Sequence, residues 1–372
     1  MLSLCNIEYD KDNVEKGCVI LKKHLYYVTG HTGKGFINLL PSNVTELEHI
    51  IVLKHPSLRL KTAVLNQMSK KLNMKSPLEI ICSSSGTDYE DGLIIREKSI
   101  AILTEDVSVP LKREYTEYDL SQYGMFSYLS EEEGVRFCKN YDKKMEEAYE
   151  QFRIGLSVHD QLEEIFIRQM DFTKADQVAT QLIEKILHDV PKLERKAHVY
   201  HRLFGTNTQN GVVNVVPELL NRVGHSYFIK GRAGTGKSTL MKKVLAACEA
   251  HGYDVELYHC SFDPDSIDMV LVPELDFCIF DSTDPHEYFP RREGQEMIDM
   301  YEETVKKGTD EQYVMQIKEV TEIYQAHMKR GMQFIKDAGE MLENREERFK
   351  FNKTDVIRIA DDLLREIEKL ST

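Results

Sequence analysis

Short apolar runs at residues 26–28, 36–39, 49–53, 79–82 and 100–103 are flanked by polar or glycine-containing segments, with stretches of helical spacing between several of them. That alternation predicts strands and helices in turn, and hence a mainly parallel, doubly wound α/β sheet. Past residue 130 the pattern changes. Val178, Leu182, Ile186 and Val190 recur every fourth residue, and Val356, Ala360, Leu363, Ile367 and Leu370 alternate threes and fours. Each series marks one face of a helix. The surrounding segments, 131–190 and 294–370, are rich in Glu and Lys, which predicts solvated helix faces or, as the alternative, a surface for a protein partner.

The whole pattern occurs twice. Gly35, Asn38, Pro41, Lys54 and Lys61 lie 176 residues before Gly211, Asn214, Pro217, Lys230 and Lys237. With small slips the match continues: Cys82-Ser83 with Cys260-Ser261, Asp91 with Asp268, and 100–103 with 277–280. Self-similarity at a fixed distance is the mark of an internal repeat. It divides the chain into sheet domains at 1–130 and 196–293, each followed by a helical segment, 131–195 and 294–372.

Composition narrows the function. A balance of 48 Lys and Arg against 62 Asp and Glu gives a net charge of −14, and no basic stripe stands out against it, which argues against a nucleic-acid partner. Seven scattered cysteines without a Cys-x-x-Cys pair read as packing residues in a reducing compartment. Glu8, Asp10, Lys11, Asp12 and Glu15 interrupt any signal-peptide pattern, and no apolar run is long enough to span a membrane. The expectation is a cytoplasmic protein.

The chemistry concentrates in one segment. Gly231-Arg232-Ala233-Gly234-Thr235-Gly236-Lys237-Ser238 satisfies G-x-x-x-x-G-K-[ST], with a strand-like run at 226–229 before it and a helix-like run at 239–250, opening on Thr239, after it. A loop that wraps a polyphosphate turns its N–H groups inward, through conformations that Gly231, Gly234 and Gly236 adopt without a Cβ penalty. The following helix offers its free amides to the same anion. Lys237 is then placed for the β- and γ-phosphates and the Ser238 hydroxyl for Mg²⁺. Asp281, closing the run 277–280, is the candidate metal carboxylate. Asp284 and His286 are candidate bases, Arg291 and Arg292 candidate neutralisers of transition-state charge, and Asp263, Asp265 and Asp268 candidate lining for an acceptor pocket. No Glu follows Asp281, which points to slow hydrolysis. In the first half His55, Leu58 and Leu60 stand where the glycines stand in the second, and Thr104 stands in place of Asp281. That half is expected to bind no nucleotide.

Lys230 through Thr239, the run Tyr258-His-Cys260, Val272-Pro-Glu274, Asp281-x-Thr283-x-Pro-His286 and Met170-Asp-Phe-Thr-Lys-Ala-Asp176 together resemble a poorly characterised family of bacterial tandem P-loop proteins labelled ATPase or nucleotide-kinase-like. The resemblance spans nearly the whole chain. It departs at Ser282, where the family has glycine, and in the first loop, which is poorer in glycine here. It implies two P-loop NTPase-like domains and a bound nucleoside triphosphate, ATP rather than GTP, with Mg²⁺. Three functions stay open: a slow ATPase acting as a nucleotide-dependent switch, a kinase for a small acceptor or nucleotide, and a non-catalytic nucleotide-binding scaffold.

Overall fold

The computed structural model describes residues 23–72, 77–124 and 130–370; Cys5, Cys18 and the charged residues between Glu8 and Glu15 lie outside them. The first half runs β1 (Lys23–Tyr27), β2 (Thr29–Thr32), β3 (Gly35–Asn38), α1 (Leu40–Val44), β4 (His49–Lys54), α2 (Leu58–Lys71), β5 (Leu78–Cys82), β6 (Glu90–Ile95), β7 (Ile100–Thr104), α3 (Glu105–Ser108) and β8 (Thr116–Asp119). Two helices follow, α4 (Glu131–Ile167) and α5 (Phe172–Leu187). The second half runs β9 (Val199–Arg202), β10 (Gly205–Thr208), β11 (Gly211–Asn214), α6 (Val216–Leu220), β12 (His225–Lys230), α7 (Lys237–Ala250), β13 (Val255–His259), β14 (Ile267–Val272), β15 (Phe277–Asp281) and β16 (Gln295–Asp299). It closes with α8 (Met300–Thr304), α9 (Thr309–Gln312), α10 (Val314–Glu346) and α11 (Lys353–Leu370).

Each half builds a six-stranded sheet in the same order, β1-β5-β6-β7-β4-β8 and β9-β13-β14-β15-β12-β16. Five of the six strands of each sheet run in one direction, and β6 and β14 run antiparallel to both neighbours, which makes the sheets mixed. Their connections are the reason: each link is shorter than the dozen or so residues a parallel crossover needs. The polar start Glu90-Asp91-Gly92 hides β6 from an apolar-run search. β8 is a largely exposed edge strand, so no buried face betrays it. β16 completes the second sheet within the stretch expected to be helical from 294. The ladders also shift one sequence pairing: Cys82 pairs with Glu90 as His259 pairs with Ile267, so Cys82 corresponds to His259 and not to Cys260.

The inner faces of the two sheets share one core, with Val52, Ile81 and Leu103 of the first clustered with Phe228, Met269 and Phe280 of the second. At its centre Tyr27 N donates to Leu203 O at 3.0 Å and Leu203 N donates back to Tyr27 O at 2.8 Å. These two residues are 176 apart, and such reciprocity is the signature of a two-fold relation. Beside them buried Arg202 stacks over Tyr26, 3.7 Å from the ring centre, and lies 3.0 Å from Glu79 and 3.1 Å from Glu256. Burial pushes the Glu79 carboxyl up, but Arg202 and Arg96 more than offset this and leave it below the usual carboxylate range.

The outer faces are covered crosswise. Val356, Ile359, Leu363 and Ile367 of α11 pack with α2 over the first sheet, through Ile51, Ile80 and Ile102. Ala179 and Leu182 of α5 pack with α7 over the second, against Tyr227, Ile229 and Ile279. The helices that follow each half therefore pack on the sheet of the other half. Between them α4 and α10 run antiparallel: Glu133 near the start of α4 meets Arg348 past the end of α10 at 3.0 Å, and Gln151 meets His327 at 2.9 Å. Ala148, Gly331 and Ala338 keep this pair close, around Phe152 and Ile335.

Candidate functional site

β12 delivers the chain to the glycine loop and α7 carries it away. Gly231, Gly234 and Gly236 have φ of +151°, +73° and +81°. Gly234 is required twice over. Besides its left-handed φ, a Cβ there would lie 2.5 Å from the carbonyl oxygen of Glu163, so the last turn of α4 rests backbone to backbone on the loop. Gly236 carries Met170 against it, 3.2 Å from where its Cβ would be.

Lys237 Nζ donates to Arg232 O at 2.8 Å and lies 3.5 Å from Asp281 Oδ2. Asp281 ends β15, which pairs with β12, so strand register brings the carboxylate to the loop. Its Oδ1 accepts from Thr283 N at 3.1 Å and Thr283 Oγ1 at 2.6 Å. Ser238 Oγ accepts from Ile267 N at 3.0 Å, and Thr62 Oγ1 accepts from Glu90 N at the same distance in the first half. That bond fixes each hydroxyl and leaves it a lone pair. Thr235 Oγ1 donates to Arg232 O at 2.8 Å, and Arg232 pairs outward with Asp310 at 2.9 Å. Ala233 and Thr239 line the same cleft.

Asp268 lies on β14 beside this group. Burial pushes its carboxyl up to about 8, and the charge of Asp281 adds to the effect. Its counterpart Asp91, bonded to Thr29 at 3.3 Å, is pushed up to about 7 by burial. A buried aspartate is thus common to both halves, whereas the strand-end carboxylate belongs to the second alone.

The cleft measures about 1550 Å³. Asp284 and His286 line it, with burial holding His286 below its ordinary pKa. Asp263 and Asp265 also line it and pair with Lys34 of the first half, Asp263 at 3.3 Å. Arg291 and Arg292 do not: Arg292 donates to Val223 O at 2.8 Å, and the Arg291 amide bonds the Gln295 side chain. The far wall comes from the long helices, His159, Asp160 and Glu163 of α4 and Tyr324, Met328 and Lys329 of α10. Sequence reasoning placed none of these. The signal was present as a second fixed distance, since Tyr141, Met145, Glu163 and Phe166 lie 183 residues before Tyr324, Met328, Glu346 and Phe349.

No family model, no curated protein and no solved structure matches this chain. The functional reading therefore rests on the geometry. Among the described residues no group of three His, Cys, Asp or Glu side chains forms a metal cluster, and no helix is long and apolar enough to cross a membrane. The donors at hand are the Ser238 hydroxyl and the Asp281 carboxylate, with the Asp268 carboxyl beside them. That set suits a hard cation which keeps water and phosphate oxygens in its shell, since such an ion takes only one or two protein carboxylates.

Proposed function

We propose that the chain binds a magnesium–nucleoside triphosphate, ATP or GTP, at loop 231–238 and works as a slow NTPase-type switch, with nucleotide in the second half alone. The two halves are then copies of one P-loop NTPase-like unit, which their common strand order and the 176-residue spacing support. In this reading the amides of the glycine loop and the start of α7 hold the phosphates, and Lys237 swings from the Arg232 carbonyl to the β- and γ-oxygens. Ser238 and Asp281 would hold Mg²⁺, whose charge offsets that of the phosphates and of the Asp268–Asp281 pair.

One observation carries the switch: the last turn of α4 lies directly on Gly234, and α10 runs alongside α4. Phosphates entering beneath that turn meet both helices, which gives the differential contact that a population shift needs. Kinase chemistry is the second reading. The cleft exceeds the roughly 300–1,000 Å³ usual for one small ligand, which leaves space for an acceptor.

Calorimetry with magnesium-ATP and magnesium-GTP tests the site. One nucleotide per chain, weakened by Lys237→Ala, is expected; folded wild-type protein that binds neither nucleotide refutes the proposal. Hydrogen exchange in α4 and α10 that differs between triphosphate and diphosphate complexes supports the switch. Transfer of the γ-phosphate to an added small acceptor, with little change in exchange, replaces it with the kinase.

A further inference from the structure

The first-half loop already holds an anion, and the chain supplies it. Glu346, at the end of α10, accepts from Leu58 N at 3.1 Å through Oε1 and from Ser57 Oγ at 2.8 Å and Arg59 N at 3.1 Å through Oε2. In the 176-residue register Leu58 and Arg59 correspond to Gly234 and Thr235 of the glycine loop. The carboxylate thus sits on the amides that face a phosphate in the reading above, at the positive end of α2. It is almost wholly buried, 1% exposed.

The surroundings keep it there. Arg345 Nη2 donates to Pro56 O at 3.0 Å, and Glu343 accepts from Tyr89 OH at 2.7 Å and Gln209 Nε2 at 2.8 Å. The lysine that would otherwise compete for the carboxylate is engaged elsewhere. Lys61, 1% exposed, lies 2.8 Å from Asp106 and 3.4 Å from Glu105, just past the strand end where Thr104 replaces the aspartate of the second half. The counterpart of Glu346 at the other loop is Glu163. Its backbone rests on Gly234, but its carboxylate lies 3.8 Å from His159 Nδ1 and not on the loop amides. Loop and helix end meet in both halves, and only in the first does the carboxylate enter the loop.

We propose that Glu346 is a positioning residue: a resident anion that converts the first loop from a nucleotide site into an anchor for α10, and so sets the wall of the cleft formed by Tyr324, Met328 and Lys329. The anchor stands on its own hydrogen bonds. Its effect on nucleotide rests on the reading given under Proposed function. Because α10 is held at one end in the first half while its middle lines the cleft of the second, anchoring fixes the helix against which α4 moves. The degenerate loop is then retained for its amides, which need no glycine to hold a carboxylate delivered from the side.

The test is hydrogen exchange at the end of α10, residues 340–349, in full-length protein without nucleotide. Glu346→Ala should speed exchange there by roughly tenfold or more, the loss expected for a charge-assisted hydrogen-bond set. Sodium acetate, the small carboxylate that can refill the loop, should slow it again relative to sodium chloride at equal ionic strength, and should leave wild type unchanged. Unchanged exchange in Glu346→Ala, or no acetate effect on a folded variant, overturns the anchor. Glu346→Gln keeps the shape but presents an amide N–H₂ to the loop; it should show the fast exchange even where the alanine variant fails to fold, and wild-type rates in it also overturn the proposal. A second arm adds magnesium-ATP. Faster release of a fluorescent ATP analogue from both variants is expected, and equal release removes the link to the cleft. Absence of nucleotide binding by wild type defeats the functional reading while leaving the first arm to judge the anchor.

Discussion

Loops 55–62 and 231–238 leave equivalent strands, enter equivalent helices and meet equivalent helix ends, yet one lines an open cleft and the other is filled from within by Glu346. The difference lies in three glycines and one strand-end carboxylate. Left-handed backbone at Gly234 and Gly236 turns successive amides toward one point, whereas Ser57, an ordinary N-cap with its hydroxyl on Leu60 N at 3.1 Å, leaves room for a single carboxylate from the side. A degenerate site of this kind is an anchoring element built from the same amides.

Making the halves alike should break the molecule in graded ways. The largest effect is expected at the axis between the sheets, where Arg202 occupies the position that Tyr26 holds in the first half. Arg202→Tyr leaves Glu79 and Glu256 buried without their shared cation and should cost about 3–5 kcal/mol, read as a lower urea midpoint. Next is Gly234→Leu, which copies Leu58. It costs about 1–2 kcal/mol in left-handed backbone, and a clash with the Glu163 carbonyl is added. Calorimetry should find no bound nucleotide. The reverse change, Leu58→Gly, should create no second site while Glu346 fills the loop.

Removing the lysines separates the loops further. Lys237→Ala should weaken nucleotide binding roughly ten- to hundredfold, the value of a charge-assisted hydrogen bond to phosphate, while Lys61→Ala leaves affinity and stoichiometry unchanged. Two equivalent sites per chain, one lost with Lys61, would contradict the difference between the halves. The last prediction concerns what they share. With Asp91 pushed up to about 7 by burial and an unfolded value near 4, the folded protein binds the extra proton between those limits, so the contribution of Asp91 to stability falls as pH rises through that window. Asp91→Asn should flatten the urea midpoint across pH 4 to 7 and leave the variant the more stable protein above it.

Much of the second loop was legible in the sequence because its chemistry is local. Glycine spacing, the lysine, the following helix and a strand ending in Asp281 are all properties of contiguous residues, and the 176-residue spacing carried the frame of the first half with them. What the sequence left open is non-local. The stripe from Val356 to Ile367 shows that α11 has one buried face but is silent on which sheet it covers. Arg345-Glu346-Glu347 reads as solvated charge, because the amides that receive Glu346 lie as far as 288 residues away in the chain. The antiparallel β6 was hidden for a different reason: it opens on the polar residues Glu90 and Asp91, which interrupt the apolar pattern that marks a strand.

The crossed helices also bear on how the chain acquires its structure during synthesis. When the first sheet leaves the ribosome, the face formed by Ile51, Ile80 and Ile102 has only α2 to cover it, and its second cover, α11, is made after the whole of the second sheet. Until α11 emerges, part of that apolar face therefore stays uncovered on the nascent chain, the kind of exposed surface that incompletely packed folding species carry. The second sheet faces no such wait, since α5 has already been synthesised when β12 emerges.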